Sequence, residues 1–321
     1  GVTRRWRLRT VERRISRERP EVGEAELERR RAVVARFVDT TYHVSTTGRG
    51  DGGAERGGDR SGAGTDPDEE DDRPDVDLGL TPSTDPALTI VVPVHGAVPD
   101  LLACLTSIGE HPPSVPYEVI VANDRTDAGE FAPVRRIQGL TIIDNDENIG
   151  FLHTCNRAVA QASGRLVWLL NSDSELTERA ADALVETFDR FDDVGVVGSK
   201  LVYPDGTLQE AGGIVWRDAT AWNVGRGDDP HRPEFDHLRR VDYVSGASLM
   251  LPTELWHELG GFDPAFAPAY YEDTDLCMRV AQRGRLVLYQ PGSVVVHHEG
   301  RSHGTDVRRD GKRHQVEHHE V

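Results

Sequence analysis

From Leu88 onward the chain alternates short apolar runs with stretches of helical periodicity, and this alternation constrains the fold more than any other feature. A strand buried on both faces reads as an unbroken apolar run. Such strands separated by amphipathic helices are the pattern of βαβ units around a largely parallel sheet. Leu88–Val94 reads as the first strand, followed by a helix from about Pro99 to Ile108. Tyr117–Ala122 reads as the second strand, Leu140–Ile143 as the third and Ile149–Ala162 as a helix, with Leu166–Leu170 a fourth strand and Glu178–Phe191 a further helix. This half is expected to be a nucleotide-binding α/β sheet. The second half breaks the alternation: Gly195–Tyr203, Gly213–Trp216 and Val241–Leu251 read as strands joined by long polar loops, before a helix near Tyr271–Arg283 and a late strand at Val294–Val296. Loops of this kind shape substrate sites more often than cores.

The segments outside this region differ in texture. Residues 1–44 are rich in Arg and Glu, and Val33, Val34, Phe37 and Val38 recur at roughly helical spacing, so a helical N-terminal segment is expected. Residues 45–86 hold Gly, Asp, Arg, Ser, Thr and Pro with almost no apolar side chains, which cannot offset the entropy of ordering. They are expected to form an acidic, disordered linker. Gly48, Gly50 and Gly53 have GxGxxG spacing, but no strand precedes them and no helix follows, so the match is an accident of composition. The main domain is expected over 87–304, with a tail at 305–321. His314, His318 and His319 in that tail have a spacing that could bind zinc on a helix, and are read as an exposed His-rich tail. The chain opens on Gly1 rather than Met, which fits a piece of something longer.

Charge and cysteine usage exclude several classes of function. With 37 Lys and Arg against 55 Asp and Glu the net charge is −18, which repels nucleic acid and requires any anionic ligand to find a locally positive site or a metal. The longest apolar runs fall far short of the ~20 residues of a membrane span. No signal segment opens the chain, so a cytoplasmic location is expected. Cys104, Cys155 and Cys277 are odd in number and widely spaced; reduced core thiols are expected rather than disulfides or a zinc motif.

Ligands of open α/β sheets gather beyond the carboxyl ends of the strands. There the chain places Pro93-Val94-His95, Asn123-Asp124, Asn171-Ser172-Asp173 and His297-His298. Each group alone has an ordinary explanation as turn or cap. Together, an Asp after one strand and a His after another supply the hard-to-borderline ligands that suit Mg²⁺ or Mn²⁺ beside a diphosphate. Neighbours on a strand face opposite ways, so one of His297 and His298 is expected to face the site, and periodicity does not say which. Glu272, Asp273 and Asp275 open the late helix, whose inward face continues through Cys277 and Val280. First-turn acids also complement a helix dipole, which is the plainer reading of Glu272 and Asp275.

Six motifs in order carry a resemblance: Pro93-Val94-His95, Val119–Asp124, Asn148-Ile149-Gly150-Phe151 with Asn156, Leu169–Asp173, Gly260–Asp263 and Tyr271–Arg279. They resemble the motifs of family-2 glycosyltransferases with the GT-A fold, over roughly Leu88 to Gly304. The resemblance implies a mixed α/β sheet flanked by helices and an inverting transfer from a nucleoside-diphosphate sugar to an acceptor hydroxyl. It implies that Pro93, His95 and Asp124 hold the base and ribose, and that Gly150 and Asn156 help close the nucleotide pocket. Asp173 and His297 would bind Mg²⁺ or Mn²⁺, Asp273 would be the general base, and Glu272 and Asp275 would lie on the acceptor side. Asn171 stands where many relatives carry the first Asp of a DxD triplet, and a neutral amide is a poorer partner for a hard cation. Cys155 stands where relatives often carry an Arg. Tyr203–Gly213, Trp222–Pro230 and Ser302-His303-Gly304 are most similar to the branch found in O-antigen and surface-polysaccharide assembly. The implied partners are a nucleotide-sugar donor and a glycan or lipid-linked acceptor, with no nucleic acid, with room for peripheral membrane association, and with the domain set in a larger chain. Relatives continue with a further helix where this chain stops, so a shortened C-terminus is expected. Two rivals stand beside this reading. A nicotinamide-dependent oxidoreductase would need a Gly-rich turn after the first strand, where only Gly96 stands. A non-catalytic carbohydrate- or nucleotide-binding module would not need Asp173 and Asp273.

Overall fold

The computed structural model describes residues 75–217 and 220–299. Strands β1 (Leu88–Val94), β2 (Tyr117–Asn123), β3 (Leu140–Asp144) and β4 (Leu166–Leu170) lie parallel in the order β3-β2-β1-β4. Every residue of β1 and β4 is buried, which is why both read as unbroken apolar runs. Helices α1 (Val98–Glu110), α2 (Ala128–Arg135), α3 (Phe151–Val159) and α4 (Ala180–Arg190) connect and flank them. The sequence gives no sign of α2, because Pro133 interrupts it and only Phe131 and Val134 are buried. Its start is fixed by Asp127, whose carboxylate accepts the N–H groups of Gly129 and Glu130.

The remaining elements are β5 (Ser174–Leu176), β6 (Val194–Val202), β7 (Leu208–Glu210), β8 (Gly213–Val215), β9 (Ala221–Asn223), β10 (Arg239–Arg240), β11 (Ser248–Pro252), α5 (Thr253–Leu259), α6 (Glu272–Gln282) and β12 (Leu286–His297). β11 lies antiparallel between β4 and β6, and β12 runs parallel to β6, completing a ten-stranded mixed sheet. β8 and β9 form a separate hairpin. Helices α1 and α4 cover one face through Leu101, Leu105, Leu184 and Phe188. Helices α3, α5 and α6 cover the other through Leu152, Val159, Trp256, Leu276 and Val280. All three cysteines are buried and free, as expected.

Two differences from the expected elements matter for the site. Val241–Leu251 is not one strand: Val241 N–H donates to the Val287 carbonyl of β12, and the chain enters the sheet as a strand only at Ser248–Pro252. The N–H groups of Ser245 and Gly246 are taken by the side chains of Glu210 and Asp273 instead of a neighbouring strand, and the chain turns there, with Ser248 N–H on the Ser245 carbonyl. The late strand is twelve residues long rather than three, with a register shift across Pro291 and Gly292 that hides its continuity in the sequence.

Residues 75–86, within the span expected as linker, lie against the domain. Val76 bridges to Ile137, Leu80 is buried, and Ser83 N–H donates to the Tyr117 carbonyl. The helical segment expected at 1–44 and the His-rich tail lie outside the described residues. Among the described residues no helix is long and apolar enough to cross a membrane.

Candidate active site

The winding of the sheet reverses between β1 and β4, and there a crevice opens. β4 pairs with β1 only as far as Val91, so Pro93 and Val94, and His95 beyond them, lie past the end of that ladder while β2 still pairs as far as Val94. Asp124 follows β2 and is buried; its carboxylate accepts the N–H groups of Ile149 (2.8 Å) and Gly150 (2.9 Å) and the Asn145 amide (2.9 Å). Gly150 sits at φ 83 before α3, a backbone shape that favours glycine, and the carboxylate meets the positive end of the helix dipole. His95 lies 2.6 Å through Nδ1 from the Asp124 carbonyl, which can only accept, so Nδ1 carries the proton and Nε2 accepts from Asn148 at 3.1 Å. Pro93, His95, Asp124 and Gly150 are thus brought together around one locked loop. Asn156 is not brought there with its polar atoms free. Both bond the backbone of Phe262 at 2.9 Å, bracing α3 against the Gly260–Phe262 segment.

The second group sits where β5 pairs with β12. Their register sets Ser174 opposite His297, so Asp173 lies beside the end of β12 and its carbonyl accepts the His298 N–H at 3.0 Å. His297 Nε2 is 3.2 Å from Asp173 Oδ1, and its Nδ1 is 2.9 Å from Gln209 Oε1. Asn171 Nδ2 is 3.4 Å from the same Nε2. His298 turns instead to Glu175, at 2.7 Å. The choice the sequence leaves open therefore falls on His297 as the partner of Asp173. With Nδ1–H donated to Gln209, Nε2 presents a lone pair to a carboxylate, an arrangement that needs a proton or a cation between the two. Burial works against the charged form of each, yet their mutual attraction outweighs it, holding Asp173 below and His297 above their ordinary values. One carboxylate and one imidazole fit a divalent cation that takes its other ligands from a diphosphate and water. No larger group of His, Cys, Asp and Glu among the described residues could hold a metal without such help.

The third group surrounds the start of α6. Asp273 accepts the Gly246 N–H at 2.9 Å on Oδ2 and the Thr274 N–H at 2.6 Å on Oδ1. Burial raises its carboxyl, and these donors only partly offset that. Glu272 is buried beside it with Oε2 unpartnered, and burial and the Asp273 charge raise it too. Asp275 pairs with Arg279 one helical turn on, at 2.7 Å, and Arg279 also holds the carbonyls of Leu259 and Gly261. Asp275 is therefore tied to a structural knot and is not gathered with Asp273.

Glu210 completes this group, and nothing in its local sequence signals it. Alternation along β7 places Gln209 at His297 and turns Glu210 to the Ser245 N–H (3.0 Å), with Oε2 buried and unpartnered. Burial pushes its carboxyl up to about 8, against the Ser245 bond, and the Asp273 charge adds to the rise. The consecutive N–H groups of Ser245 and Gly246 are thus shared between Glu210 and Asp273, while the Ala247 carbonyl accepts the Asn171 N–H at 3.0 Å. One short turn links the base candidate to the Asn171–Asp173 segment. A raised carboxyl means that the folded state binds the extra proton, so stability falls as pH rises from the ordinary Glu value through about 8. Glu210→Gln removes that titration. Its melting temperature is expected to fall less than the parent's between about pH 5 and about pH 8; equal falls would show that Glu210 is charged throughout.

The family described as Glycosyltransferase like family 2 matches residues 86–314. The O-antigen biosynthesis protein RfbC of Myxococcus xanthus is 32% identical over 69% of this chain, which spans only 18% of that protein's length. An N-acetylglucosaminyl-diphospho-decaprenol L-rhamnosyltransferase of Mycobacterium tuberculosis is 27% identical over 68% of this chain and 78% of its own. Among solved structures, GalNAc-T7 with UDP, GalNAc and Mn²⁺ superposes with a TM-score of 0.55 at 14% identity, covering 66% of this chain and 43% of that one. The chain accordingly belongs to glycosyltransferase family 2 and has the GT-A fold.

Proposed function

We propose that the chain transfers a sugar, with inversion, from a nucleoside-diphosphate donor to a hydroxyl of a glycan or lipid-linked acceptor in surface-polysaccharide assembly. The observation that carries this reading is the Ser245–Ala247 turn, which fixes Asp273 on one side and the Asn171–Asp173 segment on the other. In-line displacement needs a base on the acceptor side and charge neutralisation on the phosphate side, and one carboxylate cannot serve both.

Asp173 and His297 would hold Mg²⁺ or Mn²⁺, which when bound neutralises charge developing on the leaving diphosphate. The locked loop of His95, Asp124 and Gly150 shapes the nucleotide end of the crevice, with Pro93 beside it. Asp273 takes the proton of the acceptor hydroxyl as its oxygen forms a bond to the anomeric carbon and the bond to the diphosphate oxygen breaks. The Gly246 and Thr274 N–H groups aim the carboxylate, and burial keeps it basic enough to accept the proton. Glu272 packs behind it rather than touching the acceptor.

The RfbC and rhamnosyltransferase relatives support the polysaccharide setting. One observation favours a non-catalytic nucleotide- or sugar-binding module: Asn171 stands where a second carboxylate would strengthen cation binding. Incubation with a panel of UDP-, dTDP- and GDP-sugars and Mn²⁺ separates the two. Release of one nucleoside diphosphate, with the sugar passed to water in place of the acceptor or to an added saccharide acceptor, supports transfer, and binding of a donor without release under either condition supports the module.

A further inference from the structure

The β8–β9 hairpin reverses the usual pattern of a half-buried strand pair. Its register sets Gly213 opposite Asn223, Ile214 opposite Trp222 and Val215 opposite Ala221. Val215 and Ala221 pack inward against the layer that contains α3 and α6. Alternation then sends Ile214, Trp216, Thr220 and Trp222 outward. An outward face is ordinarily polar. Here Ile214, Trp216 and Trp222 are 41%, 52% and 61% exposed, and among the described residues Met278 is the other large apolar side chain left so open.

The two indoles meet edge to face, with ring centroids 6.2 Å apart and planes at 77°. With Arg217 and Thr220 they line a shallow, open cleft of ≈ 410 Å³ on the surface. A corner of two aromatic walls with a guanidinium and a hydroxyl at its lip matches a sugar ring. The C–H face of a pyranose packs on the electron-rich face of an indole, and its hydroxyls take the polar groups.

The hairpin is rooted beside Asp273. Gly213 lies flat on the Tyr243 ring, where a Cβ would fall 2.0 Å from it, and its backbone pairs with Asp242 and Tyr243. Two residues beyond Tyr243 begins the turn that holds Asp273. Trp216 stands three residues along the strand from Gly213, about 10 Å. We propose that the Trp216–Trp222 cleft binds a sugar ring of the acceptor glycan, beyond the residue whose hydroxyl is attacked. This rests on Asp273 marking the acceptor side. Other occupants fit less well. Three half-exposed side chains offer far less than the ~800 Å² per partner of a stable dimer. The net charge of −18 opposes an anionic bilayer.

The test follows tryptophan emission of the full chain during titration with methyl glycosides and disaccharides of glucose, N-acetylglucosamine, galactose, mannose and rhamnose. Parallel titrations use zwitterionic and anionic vesicles, and UDP, dTDP and GDP with Mn²⁺. A saturable response to at least one saccharide is expected, weakened by about tenfold or more in Trp216→Ala and in Trp222→Ala. Trp222→Phe should recover most of that loss, and nucleotide binding should not change in any variant. No response to any saccharide, a response untouched by both alanine variants, or a response to vesicles alone would overturn the proposal. Nucleotide binding without saccharide binding sinks the cleft and leaves the transferase reading standing. Saccharide binding at the cleft without any nucleotide binding does the reverse.

Discussion

Asp273→Asn lowers sugar transfer by about 10²–10⁴-fold while nucleoside-diphosphate affinity stays near the parent's, the loss typical of removing a general base. The structure adds a consequence for stability. Asp273 accepts from Gly246 and Thr274 on different oxygens, and an amide can accept on only one of them. The other N–H is left facing an NH₂ group, at a cost of about 1–3 kcal/mol. The variant should therefore melt below the parent, and its kinetics belong at a temperature where both are folded. Turnover at the parent's rate would remove Asp273 from the chemistry. Loss of metal and nucleotide binding together would move it to the phosphate side.

Asp173→Ala weakens the Mn²⁺-dependent part of nucleotide binding by more than about 100-fold, since even the outer partners of metal ligands cost up to about that much. The alternative for such an Asp, a cap on the next helix, does not apply, because the strand β5 follows it. Its carboxylate faces His297, so truncation removes the charged partner of a buried imidazole, which keeps Gln209 and Asn171 and sheds its proton, and the metal-free variant should melt below the parent. Isothermal titration with Mn²⁺ and a nucleoside diphosphate separates the two effects. A variant that is destabilised yet binds both as before would make Asp173 purely structural.

What the sequence reveals follows from where each element gets its order. β1 and β4 are legible because both of their faces are buried. β5 and β7 are three residues each, Ser-Glu-Leu and Leu-Gln-Glu, and no local pattern marks them, because they exist only through pairing with β12 and β6. The same limit governs the site. Asp173 and Asp273 stand out by their places at a strand end and a helix start. That His297 rather than His298 meets Asp173 depends on the β5 register, and the part played by Glu210 depends on a turn that reads as strand. Asp124 looks like an open ligand in the sequence, whereas three donors already satisfy its carboxylate. Asp275 is one of the acids read as complementing the helix dipole, and the structure ties it besides to Arg279 one turn on, a pair the sequence reading does not draw.

Thermal stability with UDP, dTDP, GDP and NAD, each with and without Mn²⁺, tests the proposed assignment of Asp173 and His297 as the metal-holding end of a nucleotide-sugar site. At ligand concentrations about 100-fold above Kd, one nucleoside diphosphate should stabilise the chain by about 2.7 kcal/mol with Mn²⁺ and by much less without it. The same stabilisation without metal, or a response to NAD alone, would contradict it.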